Sequence, residues 1–235
     1  ATLAPSMELI LVRHGEPAWV DDSGKPAMDP LLTERGRDQA RRAAERLAGD
    51  KRKIADLIVS PATRARQTAA PIAELTGLEP KVIDDLVEFK LPDWSHLSPT
   101  EVAANFRALR ERHPKRWWEG TPGGETFHAF EARVAKAIFA LLKSRGVEPA
   151  EEGERHVFKQ SRDPGRIVVV AHGGTNSMIM SLLLGMESVP WIWERIGLHH
   201  ASFVRLRTLP LGGATIMSLR AHNDCEHLPR EIRTR

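Results

Sequence analysis

A single cysteine, Cys225, stands among 235 residues. Neither a disulfide framework nor a cysteine-rich zinc module is open to such a chain. Long apolar runs are missing too. The longest, around residues 178–186, is interrupted by Ser181 and Gly185 and falls far short of the ~20 residues that cross a bilayer. The start of the chain has neither the basic residues nor the apolar stretch of a secretory signal, so residues 1–6 read as a tag or a disordered start ahead of Met7. Excess charge is equally scarce: the net value is +3, spread along the chain rather than gathered in blocks. That leaves no electrostatic footprint for nucleic acid or a membrane surface. What remains is ordinary globular composition, which predicts one domain over 7–235 in a cytoplasmic protein. Oligomeric state stays open, a homodimer included.

What is present is an alternation of short apolar runs and helical periods. Residues 8–13 form an apolar run that stops at a glycine, as a buried strand would. After a loop rich in Asp, Gly and Pro, Thr33 is placed to cap a helix over 34–48. Residues 54–59 read as a second buried strand, and Ser60-Pro61 as the cap and first turn of a helix running through Arg64 to about 75, with Gly77 as its stop. A short strand follows at 82–83. No period is visible over 88–97. Ser98-Pro99-Thr100-Glu101 is a capping box that predicts a helix to about 112. Phe127, Phe130, Val134, Ile138, Leu141 and Leu142 have the spacing of a helix over 127–144. The polar stretch 146–165 reads as an exposed, mobile insertion. Residues 167–171 are the clearest buried strand, followed by a helix over 174–184 and two further strands at 202–206 and 214–219. Strands alternating with helices predict an α/β fold: a mainly parallel sheet with helices on both faces, an antiparallel edge strand, and a cap region inserted at about 88–124.

Open α/β sheets bind ligands beyond the carboxyl ends of their strands. Two strands here end alike, in Arg13-His14-Gly15 and in Ala171-His172-Gly173-Gly174. A third ends in Ser60-Pro61-Ala62-Thr63-Arg64, which puts an arginine on the first turn of a helix. Two histidines and two arginines thus converge on one rim. Forked guanidinium groups beside a helix N-terminus suit a phosphate dianion. The arrangement predicts that these side chains meet around one tetrahedral anion, with the first imidazole open to solvent.

These motifs, in this order, resemble those of the histidine phosphatase superfamily, in its phosphoglycerate-mutase-like branch. Arg13-His14-Gly15-Glu16 is similar to its opening motif, Leu32-Thr33-Glu34-Arg35-Gly36 to its next helix start, and residues 60–69 to its second motif. Gly123-Gly124-Glu125 and Ala171-His172-Gly173-Gly174 match the third and fourth. The resemblance implies a phosphomonoester hydrolase acting on a small phosphorylated metabolite, the small-molecule phosphate ester being its only implied partner. His14 would become a transient phosphohistidine, while Arg13, Arg64, His172 and the backbone of Gly173 bind the phosphate. It implies no metal and no other cofactor, since these groups supply the positive charge. Glu88 occupies the position of the proton donor, with Glu125 as the reserve candidate. Departures favour hydrolysis over the mutase reaction: where family mutases carry Ser-x-Trp-Asn, this chain has Pro17-Ala18-Trp19-Val20. Phosphoglycerate mutase-type transfer and a non-catalytic, partner-binding pseudophosphatase are the two alternatives. The His222–His227 stretch has the superficial look of a metal cluster, but with one thiol it reads as structural.

Overall fold

The computed structural model describes residues 6–153 and 156–235. Residues 1–5, most of the stretch read as a tag or disordered start, lie outside the described residues. The first half of the chain alternates as its pattern predicts. Strand β1 (Glu8–Arg13) leads to helix α1 (Glu34–Gly49), whose N-cap Thr33 accepts a hydrogen bond from the Gly36 amide. Strand β2 (Ile54–Val59) leads to α2 (Thr63–Thr76), closed by Gly77 at φ 71°. After β3 (Lys81–Val82), the chain passes a single 3-10 turn into an irregular stretch, then α3 (Pro99–Glu111), whose Ser98–Glu101 capping box is formed. A 3-10 segment at Pro114–Glu119 precedes α4 (Phe127–Ser144). Strands β4 (Val147–Pro149), β5 (Phe158–Gln160) and β6 (Arg166–Ala171) follow, then α5 (Gly173–Leu183) and the single-turn α6 (Ile192–Arg195). Strands β7 (Phe203–Leu211) and β8 (Ala214–Asp224) complete the sheet.

One eight-stranded sheet runs in the order β3-β2-β6-β1-β7-β8-β5-β4. Side chains alternate across it, and the two-residue period divides the core. From β1, Leu9 and Leu11 point to a cluster built on Phe127, Phe130 and Ile138 of α4 and Met178 and Ile179 of α5. Ile10 and Val12 point to the other face, against Ala43, Ala44 and Leu47 of α1 and Ala65, Ala69 and Ile72 of α2. Helices therefore cover both faces, as expected.

The mainly parallel sheet is corrected. Only β3, β2, β6 and β1 pair in parallel; β1–β7, β7–β8, β8–β5 and β5–β4 are all antiparallel. The sheet is mixed, and its antiparallel part is half of it rather than an edge strand. Connection length explains the hairpins in this half. The parallel strands are joined by helical crossovers, whereas β7 and β8 are joined by Gly212-Gly213, both at positive φ (57° and 84°). A two-residue turn of that kind makes a hairpin.

The insertion at 146–165 is exposed or half-buried over most of its described residues, as expected, but it is not without structure. It contributes the β4–β5 hairpin to the sheet edge, with Val147 and Phe158 both fully buried. Two apolar anchors in short strands are too few to show a period. Among the described residues, no helix is long and apolar enough to cross a membrane. Because Phe158 lies within the main cluster, Phe158→Ala should lower the unfolding free energy by about 3–5 kcal/mol. Urea unfolding measures this, and a surface insertion would show almost no change.

Candidate active site

The carboxyl ends of β1, β2 and β6 meet on one side of the sheet. The His14 amide donates to the Ala171 carbonyl at 2.9 Å and the Ser60 amide to Val170 at 3.0 Å, so the three strand ends are tied side by side. Beyond β1 the chain turns under close restraint. The Gly15 amide donates to Thr68 Oγ1 at 3.0 Å, and the Glu16 amide to Gln39 Oε1 at 2.8 Å. A Cβ on Gly15 would collide with the Gly36 carbonyl, and one on Gly36 with the Glu16 carbonyl. Glycine at both positions is what lets the loop lie flat on the start of α1.

His14 is thereby set with Nδ1 2.7 Å from the Gly15 carbonyl oxygen. A carbonyl only accepts, so Nδ1 carries the ring proton and Nε2 keeps its lone pair. Arg64 Nε donates to that Nε2 at 3.3 Å. The His172 ring lies edge-on to His14, with centroids 5.2 Å apart, and its Nε2 is 2.7 Å from Ser60 Oγ. Two buried polar atoms of the site have no protein partner: Arg13 Nε and His172 Nδ1. Arg13 instead spends its outer nitrogens on the Leu198 carbonyl and on His200 Nε2.

Glu88 joins the group from the irregular stretch. Its carboxylate accepts from the amides of Gly174 (2.9 Å) and Thr175 (3.1 Å) at the start of α5. Arg13 reaches Gly173, whose Cβ position lies 3.4 Å from Arg13 Nε. The structure thus brings together Arg13, His14, Arg64, Glu88, His172 and Gly173. Glu125 is placed elsewhere: its carboxylate pairs with Arg133 at 2.7 and 2.8 Å.

Electrostatics follow from burial. The His14 imidazole titrates well below the ordinary histidine value of 6.5, first because burial penalises its charge, then because His172, Arg64 and Arg13 repel a proton. His172 is lowered well below 6.5 for the same leading reason, with Arg64 and Arg13 next. Burial pulls Arg13 down to about 10, against the attraction of Glu88. Both guanidiniums stay charged at neutral pH, and both imidazoles stay neutral.

The open imidazole is corrected. Only 3% of His14 is exposed, because Arg64, the Gly15 carbonyl and the His172 and His200 rings crowd it. Arg13, Glu88, Gly173 and Gly174 face the open space instead, a cavity of about 800 Å³ that Phe106, Arg112 and Trp117 also line.

The sequence reading missed three participants. His200, 4% exposed, lies 5.5 Å ring to ring from His14, and its Nδ1 is 2.9 Å from Thr234 Oγ1. It sits in no motif, and only its place ahead of β7, which borders β1, marks it. Ser60 does not cap α2 as expected. The cap residue of α2 is Ala62, and Asp29 accepts from the Thr63 amide at 2.9 Å; Ser60 turns to His172. Arg133 stands outside the apolar spacing by which the helix over 127–144 is read. The 222–227 stretch is structural: His227 Nε2 is 2.9 Å from the Ala201 carbonyl and stacks on Phe203, while Asp224 pairs with Arg46. Among the described residues no group of three or more His, Cys, Asp or Glu is placed to hold a metal ion.

Comparison with known proteins gives concordant matches. A family model described as "Histidine phosphatase superfamily (branch 1)" matches residues 9–219. Glucosyl-3-phosphoglycerate phosphatase of Mycobacterium tuberculosis is 32% identical over 187 residues, 78% of this chain and 78% of that protein. Phosphoserine phosphatase 1 of Hydrogenobacter thermophilus is 31% identical over 186 residues, 77% of this chain and 78% of that one. The native structure of mycobacterial glucosyl-3-phosphoglycerate phosphatase matches with a TM-score of 0.67 at 27% identity, over 94% of this chain and 100% of that chain.

Histidines with depressed pKa values bind fewer protons folded than unfolded. Their stabilising contribution is complete above pH 6.5 and is lost as pH falls below it. Stability should therefore drop on acidification from about 6.5 by up to ~1.4 kcal/mol per pH unit for each buried ring. Urea unfolding between pH 7 and 5 checks the sign, and a flat profile would contradict it.

Proposed function

This chain belongs to the histidine phosphatase superfamily (branch 1), and we propose that it hydrolyses the phosphomonoester of a small metabolite through a phosphohistidine formed on His14. The observation that carries the reading is the 2.7 Å bond from His14 Nδ1 to the Gly15 carbonyl. It leaves Nε2 unprotonated, and burial keeps the ring from acquiring a second proton. A neutral, oriented imidazole is what nucleophilic attack on phosphorus requires.

In the first half-reaction the Nε2–P bond forms as the P–O ester bond breaks, and the leaving oxygen takes a proton. Arg13, Arg64, His172 and the Gly173 amide hold the non-bridging oxygens. The unpartnered Arg13 Nε and His172 Nδ1 suit that task, since a Ser60 hydroxyl donating to His172 Nε2 puts the ring proton on Nδ1. Such fixed donors stabilise charge developing in phosphoryl transfer without a metal ion or other cofactor. Glu88 supplies the proton to the leaving oxygen. It then takes one from the water that cleaves the P–N bond, which releases inorganic phosphate and regenerates His14.

Residues 7–235 act as one domain in this reading, with 88–124 as the cap. The phosphate enters from the cavity side, past Arg13 and Gly173. The cavity wall mixes Phe106 and Trp117 with Arg112, which suits the non-reacting part of a phosphorylated metabolite such as the relatives' glucosyl-3-phosphoglycerate or phosphoserine. Hydrolysis is favoured over phosphoglycerate mutation because Pro17 is bridged to Leu32 and Trp19 lies over Arg64, 5.2 Å from ring to guanidinium. Polar groups of the mutase type are absent there.

His14→Ala should abolish release of phosphate from p-nitrophenyl phosphate, a loss of at least about a thousandfold. Acid-labile, base-stable phosphate should be trapped on the wild-type chain and not on the variant. Arg64→Ala should lower kcat by about a hundredfold or more. Undiminished turnover by His14→Ala would overturn the mechanism.

A further inference from the structure

Gly123-Gly124-Glu125 is a motif to which the reaction gives no part, and its surroundings show a task. Arg133, on α4, uses every donor of its guanidinium in one place. Nε and one Nη2 hydrogen bond hold the two oxygens of Glu125 at 2.7 and 2.8 Å. Nη1 donates to the carbonyls of Asp85 and Val87, each at 2.7 Å, and Nη2 donates to the carbonyl of Glu88 itself at 2.9 Å. Glu125 holds the other side of the same segment. Its Oε2 accepts from the Lys90 amide at 3.1 Å, and its own amide donates to the Lys90 carbonyl at 2.8 Å. Gly124 makes the approach feasible, since a Cβ there would sit 2.7 Å from the Lys90 carbonyl oxygen. The backbone on both sides of Glu88 is thus tied to one ion pair, whose side chains are 11% and 8% exposed. No helix or strand orders residues 87–98, so this pair takes the place of secondary structure.

We propose that Glu125–Arg133 is a positioning pair that sets the Glu88 carboxyl against the leaving oxygen. Glu125 is therefore not a second proton donor. The inference rests on Glu88 as the donor in a phosphohydrolase. Its signature is selective: a misplaced acid harms the departure of an alkoxide, which must be protonated, far more than that of p-nitrophenolate, which leaves unaided. Collapse of the fold would harm both alike.

The test compares kcat/KM for β-glycerol phosphate and p-nitrophenyl phosphate in the wild type, Glu88→Gln, Glu125→Gln, Arg133→Lys and the Glu88→Gln/Glu125→Gln double variant. Arg133→Lys keeps the charge but loses the fork, and it serves alone if Glu125→Gln does not fold. The alkyl-to-aryl ratio should fall about tenfold to a hundredfold in Glu125→Gln and Arg133→Lys, as it does in Glu88→Gln. In the double variant the ratio should fall no further than in Glu88→Gln alone, because the pair acts through that carboxyl. Equal losses on both substrates, or a full additional loss in the double variant, would overturn the positioning role. A wild type that cleaves neither ester, or an unchanged ratio in Glu88→Gln, would instead overturn the underlying reading, and the inference with it.

Discussion

An uncharged imidazole bonded to the Arg64 guanidinium, within the field of Arg13, is the interaction on which the rest of the site depends. The two requirements conflict with ordinary solvation. A phosphate cradle needs dense positive charge, whereas a histidine nucleophile must not acquire any. Burial reconciles them, since it penalises the imidazolium while the guanidiniums, with far higher intrinsic basicity, stay ionised. The arrangement costs stability. Arg13 Nε and His172 Nδ1 are buried without protein partners, and each such donor forgoes about 1–3 kcal/mol. A rigid frame must offset that cost, and the ends of three strands supply it for all of the site but Glu88.

That frame was largely legible in the sequence. The runs at 8–13, 54–59 and 167–171 are continuous because both faces of a central parallel strand are buried, and they predicted β1, β2 and β6 almost to the residue. Capping residues did the same for α1 and α3. The motif residues at the strand ends, from Arg13 to Gly173, come together because strand ends are the one place where distant segments must meet.

What escaped the sequence depends on pairings that leave no local period. The antiparallel half of the sheet is set by which strand lies beside β1, and nothing within 203–224 announces that neighbour. The β4–β5 hairpin rests on two buried side chains, Val147 and Phe158. His200 and Arg133 matter through partners far along the chain, Thr234 for the one and the carbonyls of 85–88 for the other. A lone polar residue, in a turn like His200 or on a helix like Arg133, carries no sign of such a partner.

The face-to-face glycines after β1 separate two parts of the chain that sequence order would join. Gly15 and Gly36 press the turn after His14 onto α1. The Thr33 amide binds the Glu16 carbonyl at 2.9 Å, and Ala18 binds Leu31 at 2.8 Å. The segment between is consequently an excursion stapled at its base, which leaves and re-enters the fold at adjacent points. The base of the excursion, rather than its outer residues, keeps the turn at His14 in place. Trp19 and Asp29 sit on that excursion and reach back to Arg64. Changes there therefore reach the candidate site through Arg64, while the glycine contact that holds the turn at His14 is untouched.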